Sequence, residues 1–209
     1  WSPACAPSSG ADAVADRLVA AFDFDGTITR RDTLVPFLRQ VRGARRFASA
    51  LVASVPAAAR GREGVKAALL RRLLAGLPED ELLRRARAYG AELHRRFRPE
   101  AVERIRWHQE QGHQVVLVSA SLRAYLDPVV EHLGLDGVCA VELEVGPDGR
   151  LTGRMAGANC RGAEKVRRLT AWLGDEPATR LWAYGNSSGD RELLAAAHGP
   201  AWMGRRRSS

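Results

Sequence analysis

Apolar residues occur in two kinds of run along this chain. Some runs are short, continuous and bounded by turn residues. Others recur every three or four positions over long stretches. Leu18-Val19-Ala20-Ala21-Phe22, inside an expected strand over 17–24, is of the first kind and stops at the turn signal Asp25-Gly26. A strand apolar on both faces suits the middle of a parallel sheet covered by helices. From about residue 33 to 112 the second kind takes over: Leu34, Phe37, Leu38 and Val41, then Phe47, Leu51 and Val55. It continues through Leu69, Leu70, Leu73 and Leu74 to Leu82, Leu83 and Ala86. Breaks at Gly43, Pro56, Gly61, Gly76-Leu77-Pro78 and Pro99 predict about four short helices before one ending near Gly112.

Strand patterns return at Gln114. Val115 to Val118 forms a buried run ending at Ser119, followed by a helix over about 122–133 closed by Gly134. Val138 to Val145 reads as a third strand, and Gly146-Pro147-Asp148-Gly149 as a tight turn that lets Leu151–Met155 pair back as a hairpin. A helix over about 163–173, a strand over 181–184, a helix over about 190–197 and a short strand at Ala201-Trp202-Met203 complete the series. Strand–helix alternation with helices inserted after the first strand predicts an α/β fold. The expectation is a Rossmann-like parallel sheet core with helices on both faces and an inserted all-helical cap domain. The expected boundaries are a flexible leader over 1–15, core over 16–32 and 106–204, cap over 33–105, and a basic tail over 205–209.

Composition narrows the class. The 209 residues suffice for one core with a small insert. An apolar fraction of 45% with 27% charged residues is that of a globular protein, which excludes disorder as the main state. The formal net charge of +8 fits either nucleic-acid binding or the steering of small anionic substrates. No nucleic-acid motif occurs and aromatics are not interleaved with basic residues, so a nucleic-acid partner is not expected. Cys5, Cys139 and Cys160 are far apart and form no Cys-x-x-Cys, which points to a reducing compartment. No apolar run approaches the roughly 20 residues that span a bilayer, and no secretory signal is read; no membrane partner is expected, and the cytoplasm is the expected location. Oligomeric state is not legible.

In open α/β sheets ligands bind beyond the carboxyl ends of the strands. Just after the first predicted strand stand Asp23, Asp25, Gly26 and Thr27; after the second, Ser119, Ala120 and Ser121; after the fourth, Gly185-Asn186-Ser187-Ser188-Gly189-Asp190. Lys165 lies near a helix start. A carboxylate such as Asp23 can attack phosphorus and form an aspartyl-phosphate. A second carboxyl, Asp25, can protonate the leaving alcohol and then deprotonate water. Two acids facing a phosphate dianion need a cation, and Mg²⁺ suits oxygen ligands of this kind. Gly26 lets backbone N–H groups face phosphate oxygens, and Ser119 and Lys165 can hold them too.

The run Asp23-Phe24-Asp25-Gly26-Thr27-Ile28-Thr29 resembles the first motif of the haloacid dehalogenase-like superfamily. Val116-Leu117-Val118-Ser119 is similar to its second motif, Lys165 to its third, and Gly185–Asp190 to its fourth. The helical insert and Asn159-Cys160-Arg161-Gly162 resemble the phosphoserine phosphatase-like branch. The resemblance implies Asp23 as nucleophile and Asp25 as acid/base. Gly26, Thr27, Ser119, Ala120 and Lys165 are the expected phosphate holders, with Asp23, Asp25, Asn186 and Asp190 around Mg²⁺. It also implies that Asp32 faces the substrate, an acid that amino-acid phosphatases turn to the substrate ammonium. Arg123 is a further expected reader, and Arg39, Lys66 and Arg72 are cap candidates. One departure stands out: the fourth motif usually begins Gly-Asp, whereas here it is Gly185-Asn186, which predicts weaker metal binding with activity retained.

The expected substrate is a small phosphorylated metabolite: phosphoserine-like, an amino-alcohol phosphate or a sugar phosphate. A phosphotransferase using the same intermediate, a catalytically silent regulator and a basic nucleic-acid-binding protein are the alternatives.

Overall fold

The computed structural model describes residues 17–176 and 178–203; the expected leader and basic tail, and Cys5, lie outside the described residues. Five parallel strands form the core sheet in the order β3-β2-β1-β6-β7, from β1 (Leu18–Phe22), β2 (Gln114–Leu122), β3 (Gly137–Val141), β6 (Arg180–Gly185) and β7 (Gly199–Trp202). β1 is central, paired with β2 on one side and β6 on the other, and Val19 to Phe22 are fully buried. That burial on both faces explains its unbroken apolar run. The strand stops at Phe22, and Asp23 N donates to Tyr184 O at 2.9 Å, so the nucleophile candidate sits where β1 and β6 end together.

Two differences from the sequence reading bear on the site and the hairpin. The second strand does not stop at Ser119; it runs to Leu122, with its register to β3 shifting between Val118 and Leu122. That irregularity lifts Ser119, Ala120 and Ser121 out of a regular ladder and into the cleft. The expected strand 138–145 is broken at Glu142. Its first part is β3, and its second is β4 (Leu143–Val145), which pairs antiparallel with β5 (Leu151–Met155) in a separate two-stranded sheet.

Between β1 and β2 the chain is helical: α1 (Leu34–Arg42), α2 (Ala44–Ala53), α3 (Gly61–Leu74), α4 (Glu79–Glu92) and α5 (Pro99–Glu110). A 3₁₀ segment, Val55–Arg60, joins α2 to α3. The chain leaves and re-enters the core at one place, where Arg98 N donates to Ile28 O at 2.8 Å and Thr29 bridges to Phe97. Helix α5 packs on β2, so the expected cap boundary at 105 falls inside a core-facing helix. The α3–α4 turn is also tied to the hairpin: Gly76 N donates to Leu151 O at 2.8 Å and Leu151 N to Leu77 O at 2.9 Å. Helices α6 (Arg123–Leu133), α7 (Ala163–Leu173) and α8 (Arg191–Ala195) complete the layers. Among the described residues, no helix is long and apolar enough to cross a membrane.

Candidate active site

The carboxyl ends of β1, β2 and β6 converge on a cleft of about 830 Å³. Asp23, Asp25, Gly26, Asp32, Ser119, Ala120, Lys165, Asn186 and Asp190 all line it.

Asp23 is almost wholly buried. Its Oδ1 accepts from Lys165 Nζ at 2.6 Å and its Oδ2 from Thr27 Oγ1 at 3.0 Å. Thr27, expected as a phosphate holder, donates to the Asp23 carboxylate and does not line the cleft. Burial raises the pKa of Asp23, and the adjacent Lys165 charge opposes that rise. Gly26 follows with φ of +85°, a conformation that glycine adopts without strain.

Lys165 is 2% exposed at the start of α7. Its three protons go to Asp23 Oδ1, to Asp190 Oδ1 at 2.6 Å and to Val118 O at 2.7 Å. Burial works against its charge, but the two carboxylates outweigh it and the pKa rises. The ammonium is therefore a permanent charge between two strand ends.

Asp25 serves a different role. Its Oδ1 accepts from Thr33 N at 2.9 Å and Thr33 Oγ1 at 2.8 Å, and its Oδ2 from Ser121 Oγ. Burial, partly offset by the bonds from Ser121 and Thr33, pushes its pKa up to about 7. Two carboxyls two residues apart thus stand in different surroundings: one lies against an ammonium, and the other is buried among hydroxyl donors with its pKa raised toward neutral.

Asp190, an expected metal ligand, accepts hydrogen bonds within the protein on both oxygens. Oδ1 takes Lys165, while Oδ2 accepts from Asn186 N, Ser187 N and Ser187 Oγ at 3.1, 2.9 and 2.8 Å. Burial would raise its pKa, but Lys165 and these donors hold it below the usual carboxylate range. It shapes the loop and holds the lysine. Arg123, expected to read substrate, does not line the cleft; it pairs with Glu142 at 3.0 Å and Asp127 at 3.4 Å on the surface.

Of the cap candidates, Lys66 reaches the cleft, where Nζ donates to Ala120 O at 2.5 Å and Asn159 Oδ1 at 2.6 Å; burial lowers its pKa to about 8. Arg39 and Arg72 do not line the cleft. Asp32 does, and its Oδ1 accepts from Val35 N at 3.0 Å. Sequence reasoning gave no role to Thr33 or Ser121, the two residues that hold Asp25. Thr33 carried the signal of a hydroxyl residue just before an apolar helical run.

The oxygen donors suit a hard cation. Asp23 supplies a carboxylate and Asn186 a neutral amide, and Asn186 packs directly against the Gly26 turn. Asp25 has its carboxylate engaged with Thr33 and Ser121. Among the described residues, no group of three His, Cys, Asp or Glu side chains forms a metal cluster. A cation here would complete its shell with water and phosphate oxygens, the habit of Mg²⁺.

The family described as haloacid dehalogenase-like hydrolase matches residues 20–195. The chain belongs to that family. Protein CicA of Caulobacter vibrioides is 39% identical over 188 residues, covering 86% of this chain and 83% of CicA. A crystal structure of a protein with unknown function from Bordetella pertussis Tohama I superposes with a TM-score of 0.73 at 27% identity, over 88% of this chain and 89% of that one. A phospho-aspartyl intermediate analogue of phosphoserine phosphatase gives a TM-score of 0.56 at 22% identity, over 88% and 85% of the two chains. The fold, sheet core with helical insert, is that of the phosphoserine phosphatase-like branch.

Proposed function

We propose that this phosphatase is Mg²⁺-dependent and hydrolyses a small phosphomonoester through an aspartyl-phosphate on Asp23. The observation that carries the reading is the contrast between Asp23, held by Lys165, and Asp25, whose proton affinity lies near neutral. Asp23 attacks phosphorus, forming its O–P bond as the bond to the leaving oxygen breaks. Asp25 delivers its proton to that oxygen. Asp25 then removes a proton from water, whose oxygen displaces Asp23 from phosphorus and frees phosphate. Lys165 offsets the charge on Asp23, and the hydroxyl of Ser119 is available to a phosphoryl oxygen. Mg²⁺, held by Asp23, Asp25 and Asn186, would supply Lewis-acid neutralisation of the phosphate.

Asp32, Lys66 and Arg161 all line the cleft and give it both signs of charge. That mixture supports a phosphorylated amino acid, amino alcohol or sugar as substrate. Cys139 and Cys160, both free and buried, are in keeping with the cytoplasm.

Release of phosphate from an aryl phosphate with Mg²⁺ tests the chemistry. Asp23→Asn should lower the rate on the order of 10³-fold or more. Unchanged turnover in that variant, or turnover indifferent to a chelator, would refute the mechanism. A panel of amino-acid, amino-alcohol, sugar and nucleotide phosphates then identifies the leaving group.

A further inference from the structure

The net charge of this protein is concentrated in one segment. Leu34–Leu74, from α1 through α3, carries nine Lys and Arg residues and one acid, Glu63. The whole formal excess of +8 therefore lies there, and the rest of the chain has as many acids as bases. Within this segment, no residue from Phe47 to Ala59 is charged. Arg45 and Arg46 flank that stretch on one side, Arg60 and Arg62 on the other.

The stretch is α2 and the 3₁₀ turn that follows, and it packs on the protein by a narrow edge. Phe47, Ala50 and Ser54 are its buried residues. Leu51 (45% exposed), Val52 (71%) and Val55 (65%) stand open to solvent on the same stretch. Three of the eight large apolar residues that stand exposed among the described residues thus fall within five positions of one another, with arginines flanking the stretch on both sides in sequence. Scattered exposed aliphatics need no explanation, but a group flanked by cations does.

We propose that this stretch docks on an anionic lipid surface, with Leu51, Val52 and Val55 entering the headgroup layer and the flanking arginines meeting lipid phosphates. Charge complementarity selects this occupant. A second copy would bring the same positive segment against itself. Nucleic acid would satisfy the arginines but leave the aliphatic side chains without bases to stack on or hydrogen bonds to make. An anionic bilayer satisfies both, because aliphatic insertion and phosphate attraction act together at its interface. Nothing here requires a spanning helix; the chain lies on the membrane. The same turn supplies Ala58, Gly61 and Arg62 to the rim of the active-site cleft, so docking would bring that rim to the lipid surface.

The proposal is independent of the catalytic reading and is tested without turnover. The full chain is sedimented with vesicles of phosphatidylcholine alone and with vesicles containing about one-third phosphatidylglycerol at ~0.1 M salt. Binding is expected on the anionic vesicles and not on the neutral ones, weakening as salt rises. Val52→Asp should lower the partition coefficient about tenfold, and Val55→Ser several-fold, with circular dichroism unchanged. Arg45→Ala with Arg46→Ala should lower it several-fold more. Leu83→Asp, at an exposed apolar position on α4, should bind like the parent. Absence of binding, equal binding to neutral vesicles, or full binding by both Val52→Asp and Val55→Ser would overturn it. So would duplex DNA binding that matches the vesicle affinity and is indifferent to Val52→Asp.

Discussion

A Cβ placed on Gly26 would stand 1.7 Å from Nδ2 of Asn186, so the turn after Asp23 and the loop after β6 are in direct contact through this glycine. The positive φ of Gly26 adds a second constraint. Gly26→Ala should therefore cost about 1–2 kcal/mol of stability from backbone strain and displace Asn186. A displacement near 1 Å at a phosphoryl-transfer site lowers kcat on the order of 10²-fold. Restoring charge at the same contact acts oppositely: Asn186→Asp should lower the Mg²⁺ concentration for half-maximal activity by about tenfold, read from a metal titration of turnover.

Lys165 neutralises two buried carboxylates at once. In Lys165→Met both would be left without a partner, and breaking a buried pair costs about 3–5 kcal/mol. Urea denaturation at neutral pH should show that loss. The loss should shrink in acid, because protonated Asp23 and Asp190 no longer carry a buried charge. A pH-independent difference would mean that packing, not charge, is what Lys165 contributes.

Ser121 donates to Asp25, and that bond holds the Asp25 pKa down against burial. In Ser121→Ala the pKa should rise further above about 7. Asp25 would then remain protonated to higher pH, so the alkaline limb of the kcat/KM profile should move upward. An unmoved limb would remove Asp25 as the acid.

Asp32 and Arg123 separate a cleft residue from a surface one. Asp32→Asn should raise KM by about ten- to a hundredfold for substrates whose leaving group carries an ammonium, the range of a lost charged hydrogen bond. It should do little for sugar phosphates. Arg123→Ala should leave kcat/KM within about twofold, since its partners Glu142 and Asp127 are exposed surface acids.

Parallel strands made much of the site legible. Each of β1, β2 and β6 ends on the same side of the sheet, so chemistry-bearing residues after each run had to meet there. Asp23, Ser119 and Asn186 follow that logic, and Lys165 joins them from the first turn of α7. Asp190 was legible as a site residue, but its reciprocal capping with Ser187 was not. Thr33 was hidden because its bond to Asp25 depends on how the chain turns between Asp25 and α1. Arg123 misled because its partner Glu142 lies beyond α6, at the break between β3 and β4. That break was itself invisible, since the apolar alternation runs through it without a turn residue.

The last prediction concerns the other side of β1. His108 is fully buried, with Nε2 2.9 Å from Tyr184 Oη and Nδ1 2.7 Å from His113 Nδ1. Tyr184 stacks on Phe22, the residue before Asp23. Burial, with the nearby His113 and Arg104, lowers the His108 pKa to about 4. Burial lowers His113 as well. A folded-state pKa below the unfolded value of about 6.5 means that between about pH 4 and 6.5 the unfolded chain binds a proton that the native chain refuses. Stability is then fully present above about pH 6.5 and falls as the pH drops toward 4, by up to about 3 kcal/mol from this one group. His108→Gln keeps hydrogen-bonding capacity but cannot titrate. Denaturation midpoints across pH 4.5–6.5 should fall less steeply in this variant, by close to one proton's worth of slope. Equal slopes in the two proteins would assign the acid sensitivity to carboxylates and leave His108 as a packing residue.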